Sequence, residues 1–248
     1  MTMNILILSA TIQVPDNARN LKRINVEERK LDYLKAFSFY IDALRNHIID
    51  FIILTDNSGY DLGFLEKTIN PDIRHNVELI SYHGLDYTPD KGRGFGEFKL
   101  LDYTMNHSHI IQQHGNKSII WKVTGRYQLK NIDKLIRSFP SDKQFLCHCR
   151  DYPMYWCDTY VLAWTMAFYR EHLAGIYHQL DESVGHASAE SYFRGHVDSL
   201  NCAGIQKRFS HLPQLIGIRG YDNRAYEQEH LKHIVRSAMN KICPWLWI

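Results

Sequence analysis

Two stretches decide how this chain reads: Lys91-Gly92-Arg93-Gly94-Phe95-Gly96-Glu97 and, further on, Trp121-Lys122-Val123-Thr124-Gly125-Arg126-Tyr127. The first is a cationic, glycine-spaced loop that opens a helix over Phe98 to Asn106. The second closes an apolar strand, Ser118 to Val123, with a lysine, a glycine and an arginine. Glycines let backbone amides approach anionic oxygens, and the start of a helix offers unpaired N–H groups. Lys91, Arg93, Lys122 and Arg126 add charge and forked hydrogen bonds. The pattern describes a pocket for a phosphate-bearing ligand at the end of a strand.

Upstream, Asn4 to Ser9 reads as a buried strand, and Pro15 to Arg29 as a polar, basic lead into a helix. Leu31, Leu34, Phe37, Ile41 and Leu44 recur at helical spacing and place an amphipathic helix between Glu27 and Asn46. Phe51 to Leu54 is a second strand, closed by the turn Thr55-Asp56-Asn57-Ser58-Gly59, and Val77 to Tyr82 is a third. This alternation is that of an α/β protein with a mostly parallel sheet flanked by helices. Ligands of such sheets sit at the carboxyl ends of the strands. Asp56, the glycine loop and Thr124 to Tyr127 all fall there.

Downstream the reading is a short helix over Ile132 to Phe139, a strand over Gln144 to Arg150 and an aromatic helix over Tyr160 to His172. A helix over Ala187 to Leu200 follows, then a strand over Leu212 to Ile218, the turn Arg219 to Asn223 and a last helix over Tyr226 to Lys241. No repeat or linker interrupts the chain, so residues 1–248 are expected to form one domain.

Net charge is only +2, which excludes a general polyanion binder and makes nucleic acid an unexpected partner. No stretch approaches roughly 18 uninterrupted apolar residues, and no basic segment leads a long apolar run, so a cytoplasmic chain without membrane span or signal peptide is expected. The five cysteines form no framework spacing and read as reduced thiols. Cys147-His148-Cys149 is not read as a zinc site, because alternate residues of a strand face opposite ways and no Cys-x-x-Cys supplies further ligands. The glycine loop lacks the Gly-x-x-Gly step of a dinucleotide fingerprint and the Gly-Lys-Ser/Thr ending of a P-loop.

Taken together, the Thr-Asp turn, the Gly-x-Gly-x-Gly-Glu loop, the Lys-x-Thr-Gly-Arg-Tyr strand end, the Glu-bearing helix and the Pro-x-x-x-Gly-x-x-Gly turn resemble bacterial GT-A-like glycosyltransferases of capsule and lipopolysaccharide O-chain synthesis. The similarity spans Asn4 to Tyr226, and Lys122 to Tyr127 is its most specific element. It implies a GT-A-like fold whose 1–127 half binds a nucleotide-sugar donor and whose 128–248 half binds a glycan or lipid-linked glycan acceptor. The chain departs from the pattern in lacking Asp-x-Asp, the motif that holds a divalent ion on the donor diphosphate; Thr124-Gly125-Arg126 stands in its place. No cofactor is then required, the divalent metal is left open, and a fixed cation can neutralise the departing phosphate.

On this reading Asp56, Lys91, Gly92, Arg93, Gly94, Gly96, Glu97, Lys122, Thr124, Gly125 and Tyr127 form the donor site. For each a plainer role stands alongside: an Asx-turn for Asp56, a solvated loop for residues 91–96, a helix-dipole carboxylate for Glu97 and simple packing for Tyr127. Lys122 should meet a carboxylate or a phosphate, since an unpaired ammonium in a central strand is costly. Arg126 would stabilise the leaving phosphate. Glu190 is the candidate general base, set against the role of a surface carboxylate, and Asp158 is the competing base. The apolar end Ile242 to Ile248 beside Lys232, Arg236 and Lys241 reads either as a peripheral contact with the inner membrane face or as a tail packed on the core. Sugar-phosphate nucleotidyl transfer and a non-catalytic nucleotide- or glycan-binding module are the alternatives.

Overall fold

A computed structural model describes residues 2–15, 18, 21–152, 154–185, 187–226 and 230–243. The elements run β1 (Met3–Ala10), α1 (Val26–Arg45), β2 (Phe51–Asp56), α2 (Gly63–Glu66), β3 (Val77–Ser81), α3 (Gly92–His107), α4 (His109–His114) and β4 (Ser118–Thr124). They continue with β5 (Gln128–Leu129), α5 (Ile132–Arg137), β6 (Phe145–Arg150), β7 (Trp156–Thr165), α6 (Met166–Phe168), α7 (Ala189–Ser199), β8 (Ile205–Gln206), β9 (Leu215–Ile216) and α8 (His230–Ile242).

The α/β class and the mostly parallel sheet are those the alternation implies. Seven strands hydrogen-bond in the order β3-β2-β1-β4-β7-β6-β8, and β5 pairs with β9 in a small second sheet. In the seven-stranded sheet β1 lies between β2 and β4, parallel to both, and among its described strands only β7 runs against its neighbours, β4 and β6. Strands from both halves of the chain therefore share one sheet. β1 is apolar along its length because both faces are covered: Leu6 and Leu8 pack with the α1 side, Ile5 and Ile7 with the α3 and α7 side.

Three expectations are corrected. Residues 156–165 form a strand rather than part of an aromatic helix over 160–172; Tyr160, Val161 and Trp164 belong to the β-branched and aromatic set that fits a pleated, doubly covered surface. The glycine loop is already helix, because α3 begins at Gly92 rather than at Phe98. The expected strand over 212–218 shrinks to the two residues of β9. On α1, Leu31 is exposed, and the buried face instead carries Arg29, Asp32 and Tyr33 beside Ala36, Phe37 and Tyr40. No helix among the described residues is long and apolar enough to cross a membrane. Residues 244–248, which carry most of the expected membrane contact, lie outside the described residues.

Candidate active site

One edge of the sheet collects the carboxyl ends of β1, β2, β4 and β6 and, because it runs the other way, the start of β7. A cavity of about 1140 Å³ opens there. Ser9 to Thr11, Asn57, Thr124, His148 and Arg150 come from the strand ends, and Trp156 and Asp158 to Tyr160 from the start of β7. The first turn of α3, the start of α7 and the segment 212–221 complete the wall.

The glycines of α3 serve close packing. A Cβ at Gly94 would lie 2.1 Å from Cβ of Ala189, and one at Gly96 would lie 1.8 Å from the Tyr87 hydroxyl. Gly92 holds φ +87°, a conformation that favours glycine, as the chain leaves the turn Pro89–Lys91. The effect is to draw the start of α3 against the start of α7, with Gly92, Arg93, Gly94, Gly96 and Glu97 all on the cavity wall. No side chain caps the N-terminus of α3. Its free amides and partial positive charge suit an anion.

Lys122 and Glu97 form an ion pair in the floor. The ammonium lies 2.6 Å from Glu97 Oε1 and also donates to the Thr159 carbonyl at 2.5 Å. The same carboxylate oxygen accepts from Ser9 Oγ at 2.7 Å and Thr124 Oγ1 at 3.1 Å. Burial alone would raise the Glu97 pKa, but Lys122, Ser9 and Thr124 hold it below the usual carboxylate range. Glu97 Oε2 has no hydrogen-bond partner among the described residues, and Glu97 lines the cavity. Lys122 has no exposure at all and is absent from the wall, so its expected contact with a donor phosphate is replaced by a contact with Glu97.

Arg126 reaches the cavity from the turn after β4. Its guanidinium donates to the Ile218 carbonyl at 3.0 Å, lies 5.4 Å from the Tyr127 ring centroid and is 3.8 Å from Asp32. Burial opposes its charge, but Tyr127, Tyr33 and Asp32 outweigh burial and hold it above the ordinary arginine value. Arg23 holds both oxygens of the same Asp32, each at 3.0 Å. Arg29, also on the wall, donates to the carbonyls of Thr11 and Arg23 rather than to a carboxylate. Arg23 and Arg126 thus share Asp32, Arg23 also pairs with Glu28 at 2.7 Å, and Arg29 has no carboxylate partner among the described residues, so three cations here face two carboxylates.

The remaining predicted residues divide. Thr124 and Tyr127 line the cavity, whereas Gly125 is buried against β1, its amide bonded to the Ser9 carbonyl at 2.9 Å. Lys91 turns away to Asp181 at 3.4 Å and is not on the wall. Asp56 is also off the wall: its oxygens accept from the Ile12, Ser58 and Tyr60 amides and the Ser58 hydroxyl, and neighbouring Asn57 takes the wall position. This is the turn-closing role of an Asx residue. Glu190, at the start of α7 behind the Ser188 cap, lines the cavity. Asp158 lines it too, but Arg150 grips it at 2.5 and 2.9 Å and Tyr160 donates to it at 3.0 Å. Burial raises the Asp158 pKa in spite of that pairing. Both Asp158 oxygens are nonetheless occupied by Arg150 and Tyr160, which leaves Glu190, without an ion pair among the described residues, the freer carboxylate on the wall.

Arg29, Glu182, Arg150 and Trp156 are wall residues that the sequence reading did not single out, and His148, weighed there only as a zinc ligand, is another. Arg29 carried a usable signal: with Tyr33 and Ala36 it stands on the apolar side of α1, where a charge must have a purpose. Among the described residues, the groups whose ligand atoms approach as a metal site requires are Cys147, Cys149 and Cys157, all sealed in the core on the face opposite His148.

No protein-family model matches the chain, and no curated protein matches it. Among solved structures, the chain is similar to the inositol-1-phosphate CTP transferase from T. maritima, with a TM-score of 0.49 at 10% identity over 98% of this chain and 97% of that one. It is similar to a glycosyltransferase involved in the glycosylation of the major capsid of PBCV-1, with a TM-score of 0.46 at 7% identity over 83% and 81%. A 4-diphosphocytidyl-2C-methyl-D-erythritol synthase gives a TM-score of 0.41 at 9% identity over 86% and 92%.

Proposed function

We propose that this cavity transfers a sugar from a nucleotide-sugar donor to a glycan acceptor, free or lipid-linked, at the cytoplasmic face of the cell's surface-polysaccharide machinery. The reading is carried by the presence of Arg126, Arg29 and Glu190 on the wall of one cavity at the carboxyl edge of the sheet. Charge that builds on a departing diphosphate has buried guanidinium groups and the start of α3 waiting for it. The 1–127 half supplies that end, and the 128–248 half supplies Glu190.

In the step itself, Glu190 takes the proton of the acceptor hydroxyl as its oxygen bonds to the anomeric carbon. The bond from that carbon to the diphosphate oxygen breaks, and its electron pair leaves with the nucleoside diphosphate, beside Arg126. Glu97 Oε2 offers an acceptor for a donor hydroxyl, and the buried Lys122 keeps that carboxylate ionised. Divalent metal is not needed in this scheme, because the arginines supply the positive charge.

The test is direct. Purified protein with a panel of nucleotide sugars and glycan acceptors in excess chelator should release a nucleoside diphosphate. Release of pyrophosphate from a nucleoside triphosphate and a sugar phosphate would instead assign nucleotidyl transfer. Nucleotide-sugar binding without turnover on any acceptor would reduce the protein to a binding module.

A further inference from the structure

At the β6 and β7 end of the same cavity stands a second group of polar side chains that the transfer step does not use. Strand alternation turns Cys147 and Cys149 into the core and His148 to the cavity. His148 is 4% exposed, and its Nδ1 has no hydrogen-bond partner among the described residues. Across the β6–β7 pair, Trp156 also lines the cavity, its indole N–H unpartnered among the described residues. A buried donor or acceptor left without a partner is costly, of order 1–3 kcal/mol each, and two on one wall suit a polar ligand.

The charge of this end is as telling. Arg150 is spent on Asp158 and lies 5.1 Å from the Trp156 ring centroid. Arg236 of α8 lines the cavity and makes no ion pair among the described residues. Its charge reaches Asp158, a carboxylate already engaged by Arg150 and Tyr160. Arg236 therefore brings a positive charge that no ion pair among the described residues matches.

From this geometry we infer that His148, Trp156 and Arg236 form a subsite for a pyranose carrying an anionic substituent, a carboxylate or a phosphate, on the second substrate. Trp156 supplies an apolar face for the sugar C–H surface and an N–H for a ring hydroxyl. His148 supplies a second hydrogen-bonding group, and Arg236 holds the anion. The inference rests on the transfer reading only in naming the occupant as the second substrate; the subsite can be probed without turnover.

The experiment uses the full chain saturated with UDP, GDP or CDP, whichever binds, so that the Arg126 end is occupied. D-glucuronate, glucose 1-phosphate and glucose are then titrated by saturation-transfer NMR. One or both charged sugars should bind at least tenfold more tightly than glucose, and the better of the two identifies carboxylate or phosphate. Arg236→Gln, on an outer helix, should erase that preference while leaving nucleotide affinity unchanged. Trp156→Phe, which keeps an aromatic face but removes the N–H, should weaken all three sugars together. Equal binding of glucose and the charged sugars, or an unchanged preference in Arg236→Gln, overturns the inference. If no nucleoside diphosphate binds at all, the transfer reading fails, and the same titrations on the free protein still decide the subsite.

Discussion

The Lys122 ammonium and the Glu97 carboxylate meet at 2.6 Å beneath the cavity floor, and the lysine has no exposed surface. Breaking one side of such a pair strands the other charge. Lys122→Met should therefore destabilise the protein by about 3–5 kcal/mol, whereas the double variant Lys122→Met, Glu97→Gln should recover a good part of the loss. Urea unfolding of the four-member cycle measures it. Additive losses would show that the two charges are not coupled.

Arg126→Gln should cost nucleoside diphosphate binding a factor of about ten or more, equivalent to roughly 1.4 kcal/mol. Lys91→Ala should leave that affinity unchanged, because Lys91 faces Asp181. Titration calorimetry with the two variants side by side checks both. The reverse ranking would move the phosphate site from the arginine cluster to the turn before α3.

Glu190→Gln should lower turnover by about 100- to 10,000-fold while leaving donor binding and the melting temperature near those of the parent. Asp158→Asn should act differently: it disturbs the buried partner of Arg150 and should lower thermal stability. Turnover and differential scanning fluorimetry separate the two roles. Full activity in Glu190→Gln would remove it as the base.

Gly94→Ala places a methyl against Ala189 at a separation no real contact tolerates. Helices α3 and α7 must part, and stability should fall by about 1–3 kcal/mol. Because Glu190 rides on α7, transfer should drop more than donor affinity does. Paired measurement of kcat and donor Kd reads this directly.

His148 is buried among arginines, and burial first, then Arg150 and Arg208, push its pKa from 6.5 down to about 3. Between those values the unfolded chain binds a proton that the folded chain refuses. Stability should thus be level above about pH 6.5 and decline as pH falls toward 3, by up to about 1.4 kcal/mol per pH unit. Glu97, with its depressed pKa, adds loss in the same direction at the acid end of that window. His148→Gln should flatten the upper part of the curve; an unchanged slope between pH 4 and 6 would assign the acid sensitivity elsewhere.

Much of this protein is legible along the chain. Apolar runs at Asn4–Ser9, Phe51–Leu54 and Ser118–Val123, separated by helical periodicity, determine a parallel sheet, because a strand covered on both faces must be apolar throughout. That Lys122 would need a partner follows equally from its place in such a run. Local pattern could not say that the partner would be Glu97, 25 positions earlier, rather than a ligand, because that depends on how α3 lies over β4. Nor could spacing reveal that glycines 94 and 96 serve close packing, since the atoms they accommodate belong to Ala189 and Tyr87. The aromatic stretch from Tyr160 read as helix because cross-strand neighbours, not propensity, decide its state. Arg29, Arg126 and Asp32 converge only once α1 docks on β1 and β4. Periodicity registers which face of an element is covered; which charges meet across that face is a property of the docked elements, and the tertiary structure alone decides it.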